Sequence, residues 1–317
     1  MSSLPPVPAG QETFYYASQT TFWIFFRQAR ALVEKALGAQ LDSLGLALPR
    51  FKDDPDGVYL ALVPSFYTCA LNLSSGGVTS TTMPGVSEAE FNVLVHPKSQ
   101  AARLPDLTFQ EFLLGWEQHK LIGQLRLDVI TDNLGAVIGG REKYGEHKFR
   151  GFIRYCFPLP NDNARTPVPF HVEFSAYTTE RMQQEELVFS LRSGVGALQP
   201  VSVDASEVVV YGALPPEPQD GTRQRAIGSR RNHFGTFSLY TPTEAHPAQV
   251  PSLEYGPCHN AAPLHYNGKS IPGAEQWPKQ MRDRMQQLLT DAPVAAFMLF
   301  ASPPVEIEPR PFYVDPQ

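Results

Sequence analysis

Apolar residues in this chain recur mostly at a period of two, and at three places the period lengthens to that of a helix. The run TTFWIFFR, residues 20–27, is β-branched and aromatic and predicts a strand buried on much of both faces. Ala29, Leu32, Val33, Ala36 and Leu37 follow at the i, i+3, i+4, i+7, i+8 spacing of an amphipathic helix. Short strand-like runs come next at 58–63, 66–73, 91–95 and 122–130; in the last, Leu125, Leu127 and Val129 alternate with Arg126 and Asp128. Between them, LTFQEFLLGWEQHK at 107–120 predicts a second helix.

From 150 onward strands dominate, at 151–157, 170–175, 186–192, 199–203, 206–211 and 234–240. They are separated by connectors rich in Pro and Gly at 158–169, 213–233 and 242–276. A third helix, 277–290, puts Trp277, Met281, Met285, Leu288 and Leu289 on one face, and 293–301 and 304–314 close the chain as strands. Many short strands with turn-rich joints predict a single α+β domain, 14–317, built on an antiparallel β-barrel or cone with a few flanking helices. The Pro-rich start, 1–13, predicts a flexible tail.

Composition narrows the class. The 317 residues are 42% hydrophobic and 18% charged, enough to bury a sizeable core. A net charge of −6 argues against nucleic acid as the main partner, because phosphate binding needs a basic face. The cluster Arg223, Arg225, Arg230 and Arg231 lacks interleaved aromatics and predicts a solvated loop. No basic start precedes an apolar core at the N-terminus, and no apolar run approaches the roughly 20 residues of a membrane helix. Cys69, Cys156 and Cys258 are too few and scattered for a disulfide framework. These features predict a soluble cytoplasmic protein with no membrane partner.

Most candidate motifs fail on their spacing. Asn267-Gly268-Lys269-Ser270 ends like a phosphate loop, but Pro263 stands where the upstream glycine belongs. The stretch GVGALQ, 194–199, lacks the third glycine of a dinucleotide turn. Cys258, His259 and His265 match no common zinc pattern, so neither a metal nor a cofactor is expected. No Gly-x-Ser-x-Gly elbow is present. What remains is AVIGGREKYGEHKFRGF, 136–152, where charged residues crowd against an aromatic strand. A lysine such as Lys148 attacks a carbonyl only as the neutral amine, which requires burial or a neighbouring positive charge.

Gly140-Arg141-Glu142, the aromatic Tyr144, Gly145, and Lys148 six positions after the glutamate resemble a known signature. It is the Gly-Arg-Glu-x-aromatic-Gly-x-Pro-Lys-Lys motif of the acetoacetate decarboxylase superfamily. The first lysine of that pair forms a Schiff base, and Lys148 matches it. The stretch 21–38 is similar to the family's early strand and helix, and 291–314 to its closing strands. EAEFNVLVHP, 88–97, resembles the strand carrying an active-site glutamate, which makes Glu90 the matching residue and Glu88 the fallback. The likeness covers 14–157 and 290–314; the middle, 160–285, aligns poorly. Phe149 replaces the family's second lysine, His147 the proline, and Gln19 an arginine near the first strand. The family's like-charge activation is thereby lost. Burial, Lys143, Arg150 or a protonated His147 must then set the state of the amine, with Glu146 acting in the opposite sense. Arg141 and Glu142 are expected to form a structural ion pair that fixes the loop before Lys148.

The resemblance implies a Schiff-base lyase, first for decarboxylation of a β-keto acid such as acetoacetate. A pyruvate-dependent aldolase-dehydratase is the second reading, and a non-catalytic barrel that binds a small hydrophobic acid the third. The implied partners are a small oxo acid and further copies of the chain in a homo-oligomer.

Overall fold

The computed structural model describes residues 11–74, 80–156, 170–179, 185–193, 207–214, 225–233, 236–240, 252–259, 261–262, 265–266, 269–270, 273–290, 293–301, 306–308 and 312–314. The first half runs β1 (Gln11–Ala29), α1 (Arg30–Ser43), β2 (Leu46–Ala47), β3 (Gly57–Ser74), β4 (Ser80–Pro97), α2 (Phe109–Leu113), β5 (Gly123–Thr131), α3 (Leu134–Tyr144) and β6 (Lys148–Cys156). The second half runs β7 (Phe170–Tyr177), β8 (Glu185–Ser193), β9 (Glu207–Leu214), β10 (Arg225–His233), β11 (Thr236–Tyr240), β12 (Ser252–Tyr255), β13 (His265–Tyr266), β14 (Lys269–Ser270), α4 (Trp277–Leu288), β15 (Pro293–Ala301), β16 (Glu306–Glu308) and β17 (Phe312–Tyr313).

Pairing proceeds β1–β3–β4–β5–β9–β10–β16 and returns to β1, so the sheet curls into the expected barrel of an α+β domain. β5 is the branch point. One edge is antiparallel to β4; the other is divided between two parallel partners, β9 at Gln124–Leu125 and β6 at Val129–Thr131. From β6 a wing continues through β7 and β8 to β12, all antiparallel. The two parallel seams depart from the all-antiparallel expectation.

Core packing follows the predicted periodicity in α4 and only in part in α1, where Val33 and Leu37 are buried but Ala29 and Ala36 are exposed and the buried face runs through Arg30 and Leu41 instead. Val33, Leu37 and Leu41 of α1 and Met281, Met285 and Leu288 of α4 pack on one face of the sheet with Phe22, Ile24, Phe26, Leu60, Leu62, Phe91 and Val93. The opposite face holds Trp23, Phe25, Tyr59, Ala61, Val63 and Leu94 against Phe109 and Leu113 of α2. Tyr59 stacks on Phe109 with ring centroids 3.5 Å apart.

Several boundaries differ from the sequence reading. β1 starts at Gln11, inside the expected tail, and β3 runs unbroken through Pro64, which splits 58–63 from 66–73 in the sequence. The helix expected over 107–120 is only α2: a Thr108–Glu111 capping box starts it, and Gly115 (φ 81°) follows its end. α3 lies where no helix is predicted, because its Gly139-Gly140 pair weakens the pattern. The supposed loop 213–233 contains β10, which pairs with β9 from Arg225 to Asn232. Arg225, Arg230 and Arg231 therefore lie on a strand whose Ala226, Ile227 and Gly228 are buried. Their charge masks that strand in the sequence. The connector 242–276 likewise carries β12 and the hairpin β13–β14, while 158–169 and the strand expected at 199–203 lie outside the described residues. No helix among the described residues is long and apolar enough to cross a membrane.

A charged clamp ties β1 to β3. Asp54 accepts two hydrogen bonds from Arg27, each at 2.7 Å, and one from the Tyr59 hydroxyl at 3.0 Å. Gly57 leaves the carboxylate its room, since a Cβ there would lie 1.8 Å from Asp54 Oδ2. The Arg27 hydrogen bonds hold the Asp54 carboxyl below the usual carboxylate range. A carboxyl depressed on folding stabilises the fold above its unfolded pKa and loses that contribution as the pH falls. Asp54→Asn is expected to cost about 2 kcal/mol at pH 7. In urea titrations the gap from the parent protein should close as the pH drops below about 4.

Candidate active site

One sheet face changes character along its length. Cross-strand register aligns Val63, Glu90, Val129 and Lys148 in one row, and Ser65, Glu88, Thr131 and Arg150 in the next. Below these rows the same face is the apolar cluster of Trp23, Phe25, Tyr59 and Leu94. The polar rows thus stand on a hydrophobic floor.

Local chemistry brings the charges together. Asn133 caps α3 by accepting from the amide of Ala136, and the helix ends at Gly145, whose φ of 60° suits glycine. The amide of Glu146 returns to the carbonyl of Gly140 at 3.0 Å. This left-handed turn aims Glu146 back beneath the helix just before β6 begins. Gly140 is required there: a Cβ would fall 2.2 Å from Glu146 Oε2 and 2.6 Å from Lys148 Cδ. The glycines of the motif are therefore one space for charged side chains and one turn.

Lys148 Nζ lies 2.8 Å from Glu88 Oε2 and 3.0 Å from Glu146 Oε2. The other oxygen of Glu146 accepts from Arg126, whose Nε lies 3.0 Å from Glu90 Oε1. Glu90, Arg126, Glu146, Lys148 and Glu88 form a chain of alternating charge, each residue at least 94% buried. Its ends are held by neutral donors: the Tyr67 hydroxyl gives to Glu88 at 2.9 Å, and Asn92 Nδ2 to Glu90 at 2.9 Å. Asn92 also gives to Gln124 at 2.8 Å.

The structure brings Lys148, Glu88 and Glu90 into one network, with Glu88 at the amine and Glu90 at Arg126. Gln19 is buried on the same face, where register sets it opposite Tyr67; it donates to Thr21 at 2.8 Å. Other candidates lie elsewhere. Phe149 points into the core on the opposite face, 2% exposed, as strand alternation requires beside an inward Lys148. His147 places Nδ1 2.7 Å from the buried Asp128, which also accepts from Arg284 of α4 at 2.7 Å. Arg141 lays its guanidinium over Trp277 at 4.3 Å, and Tyr144 is buried at the end of α3. The side chains of Glu142 and Lys143 lie outside the described residues, and with them the expected Arg141–Glu142 pair.

Sequence reasoning missed Arg126, Tyr67 and Asn92 and cast Glu146 only as an opposing charge. The alternation of β5 sends Arg126 and Asp128 to a solvent face in the sequence, yet both are buried because β5 is covered on both sides. The available signal was their spacing between buried leucines in a strand too central to have a wet face.

No family model matches the sequence, and a search of curated proteins finds no match either. Solved structures do resemble it. MppR, an enduracididine biosynthesis enzyme, complexed with pyruvate, is 13% identical with a TM-score of 0.52 over 99% of this chain and 93% of that one. MppR complexed with the condensation product of pyruvate and imidazole 4-carboxaldehyde gives 13%, 0.51, 98% and 91%. Acetoacetate decarboxylase from Legionella pneumophila subsp. pneumophila str. Philadelphia 1 gives 10%, 0.50, 99% and 92%. Across nearly its whole length, this chain has the acetoacetate decarboxylase-like fold.

Proposed function

We propose that the protein is a Schiff-base-forming lyase acting on a small oxo acid, with decarboxylation of a β-keto acid such as acetoacetate as its reaction. The observation that carries this reading is the Lys148 amine, buried against the carboxylates of Glu88 and Glu146. The fold shared with an acetoacetate decarboxylase and with pyruvate-bound MppR supports it.

In this mechanism Lys148 passes a proton to Glu88, its nitrogen bonds to the ketone carbon as the carbonyl π electrons move to oxygen, and a second proton passes from that nitrogen to the oxygen to give the carbinolamine. The Glu88 carboxyl returns that proton to the hydroxyl of the carbinolamine, which leaves as water and yields an iminium. Both carboxylates then flank the new positive charge. The bond to the substrate carboxyl breaks, its electrons enter the iminium, and carbon dioxide departs from an enamine. A proton drawn from water through Glu88 restores the iminium at carbon, and hydrolysis frees the ketone and the amine. Glu146, fixed by Arg126, holds the lysine on line.

One observation favours a second reading, the pyruvate-dependent aldolase-dehydratase. Where the family carries its second lysine, this chain buries Phe149 on the other face, and the amine meets two carboxylates instead. A carboxylate beside an iminium removes a proton from the adjacent carbon, a step that aldol chemistry needs and decarboxylation does not. The enamine would add to an aldehyde and lose water to give an unsaturated oxo acid.

Borohydride reduction in the presence of acetoacetate, and separately of pyruvate, is expected to leave a stable adduct on the Lys148 peptide, absent in Lys148→Met. Release of carbon dioxide or appearance of an unsaturated product chooses between the reactions. A folded protein that gives no adduct with either acid would leave the non-catalytic barrel. Glu88→Gln should slow trapping by about 100-fold or more, since it removes the proton carrier. Glu146→Leu should instead cost stability, about 3 kcal/mol by chemical denaturation, because two buried cations lose their shared partner.

A further inference from the structure

The charges of the network are already engaged: two cations stand between three carboxylates. An oxo acid brings one more negative charge, and its carboxylate must find a cation outside this chain of charges. We propose that Arg150, assisted by Tyr177, binds the carboxylate of the substrate; this rests on the Schiff-base reading and deepens it.

Arg150 is two residues beyond Lys148 on β6, so both side chains leave the same face, their Cα atoms about 7 Å apart. Register sets Arg150 against Thr131, itself opposite Glu88. Among the described residues its guanidinium has no carboxylate partner. It makes one long hydrogen bond, Nε to the carbonyl of Asp132 at 3.4 Å, and its Cζ lies 6.0 Å from the ring of Tyr177. Glu146, four residues back along the chain, is taken by Lys148 and Arg126, and Asp132, whose carbonyl Arg150 touches, turns its carboxylate to the amide of Ser87 at 3.0 Å. The terminal nitrogens of Arg150 thus remain as a fork suited to a carboxylate.

Tyr177 comes from the neighbouring strand. β7 pairs Ala176 with Gly151, which sets Tyr177 beside Arg150. Burial pushes its phenol up, so the hydroxyl keeps its proton as a donor at neutral pH. Exposure also rises along this face of β6: Lys148 is buried, Arg150 and Phe152 are half-buried, and Arg154 is exposed. A substrate with its ketone at Lys148 would lay its carboxylate toward the open end, at Arg150. The spacing suits a short acid, whose carboxylate lies one or two bonds from the reacting carbon.

The test uses oxamate, an oxo-acid isostere whose amide carbonyl forms no imine, with propanamide as the neutral comparator, titrated into the full chain by ligand-observed NMR. The parent protein is expected to bind oxamate in preference to propanamide. Arg150→Gln should weaken oxamate by about 10- to 100-fold, with Arg150→Lys in between, and Tyr177→Phe, which removes one oxygen and no packing, by about 3- to 10-fold. Equal oxamate binding by the parent and a folded Arg150→Gln would overturn the proposal, as would a parent with no preference for oxamate. Borohydride trapping separates the two readings. Adducts with unchanged oxamate binding in Arg150→Gln sink the subsite alone. Arg150-dependent binding without any adduct sinks the lyase and keeps the subsite.

Discussion

Five charges kept out of water in one alternating chain are the constraint on which the rest of this structure depends. Any of Glu90, Arg126, Glu146, Lys148 or Glu88 buried alone would carry a desolvation cost of several kcal/mol, and only its neighbours offset it. The chain is drawn from β4, β5, the turn after α3 and β6, so it is satisfied only when all four elements hold one register. A slip of one residue in β6 would turn Lys148 into the apolar core and Phe149 onto the carboxylates. The network thus singles out one register for these four elements.

The apolar parts make that network possible from both sides. The floor of Trp23, Phe25, Tyr59 and Leu94 gives the polar rows a rigid base, and the packing of α1 and α4 fixes the reverse face of the same strands. α3 closes the assembly, and it does so with a helix of modest propensity because Gly140 must let side chains pass where a methyl group would stand. Here a weak helix former is the residue that the charges require.

How far the sequence can be read follows from this division. The period-two runs and the helical faces of α1 and α4 are legible because burial on one face imposes a period, and Lys148 is legible because its motif is local. Glu146 and Arg126 are not, since their partners lie on other elements and an alternating strand looks half-wet until its neighbours are known. β10 is hidden by its arginines, and α3 by its glycines. Phe149 is the instructive departure: the signature that the sequence resembles has a second lysine at this place, and alternation alone puts Phe149 in the core once Lys148 is turned the other way.

The seam between the barrel and its wing is three residue pairs long, Val129–Thr131 against Lys148–Arg150. Those three positions hold the amine at one end and the forked guanidinium at the other, and everything beyond them belongs to strands that the closed ring does not need. Val172, Phe174, Val188 and Phe189 of the wing share the barrel's buried core, so it is the loops and outward side chains of β7, β8 and β12 that can be traded without disturbing the circuit of the barrel. A fold divided in this way can keep one buried amine in place while exchanging the surfaces around it.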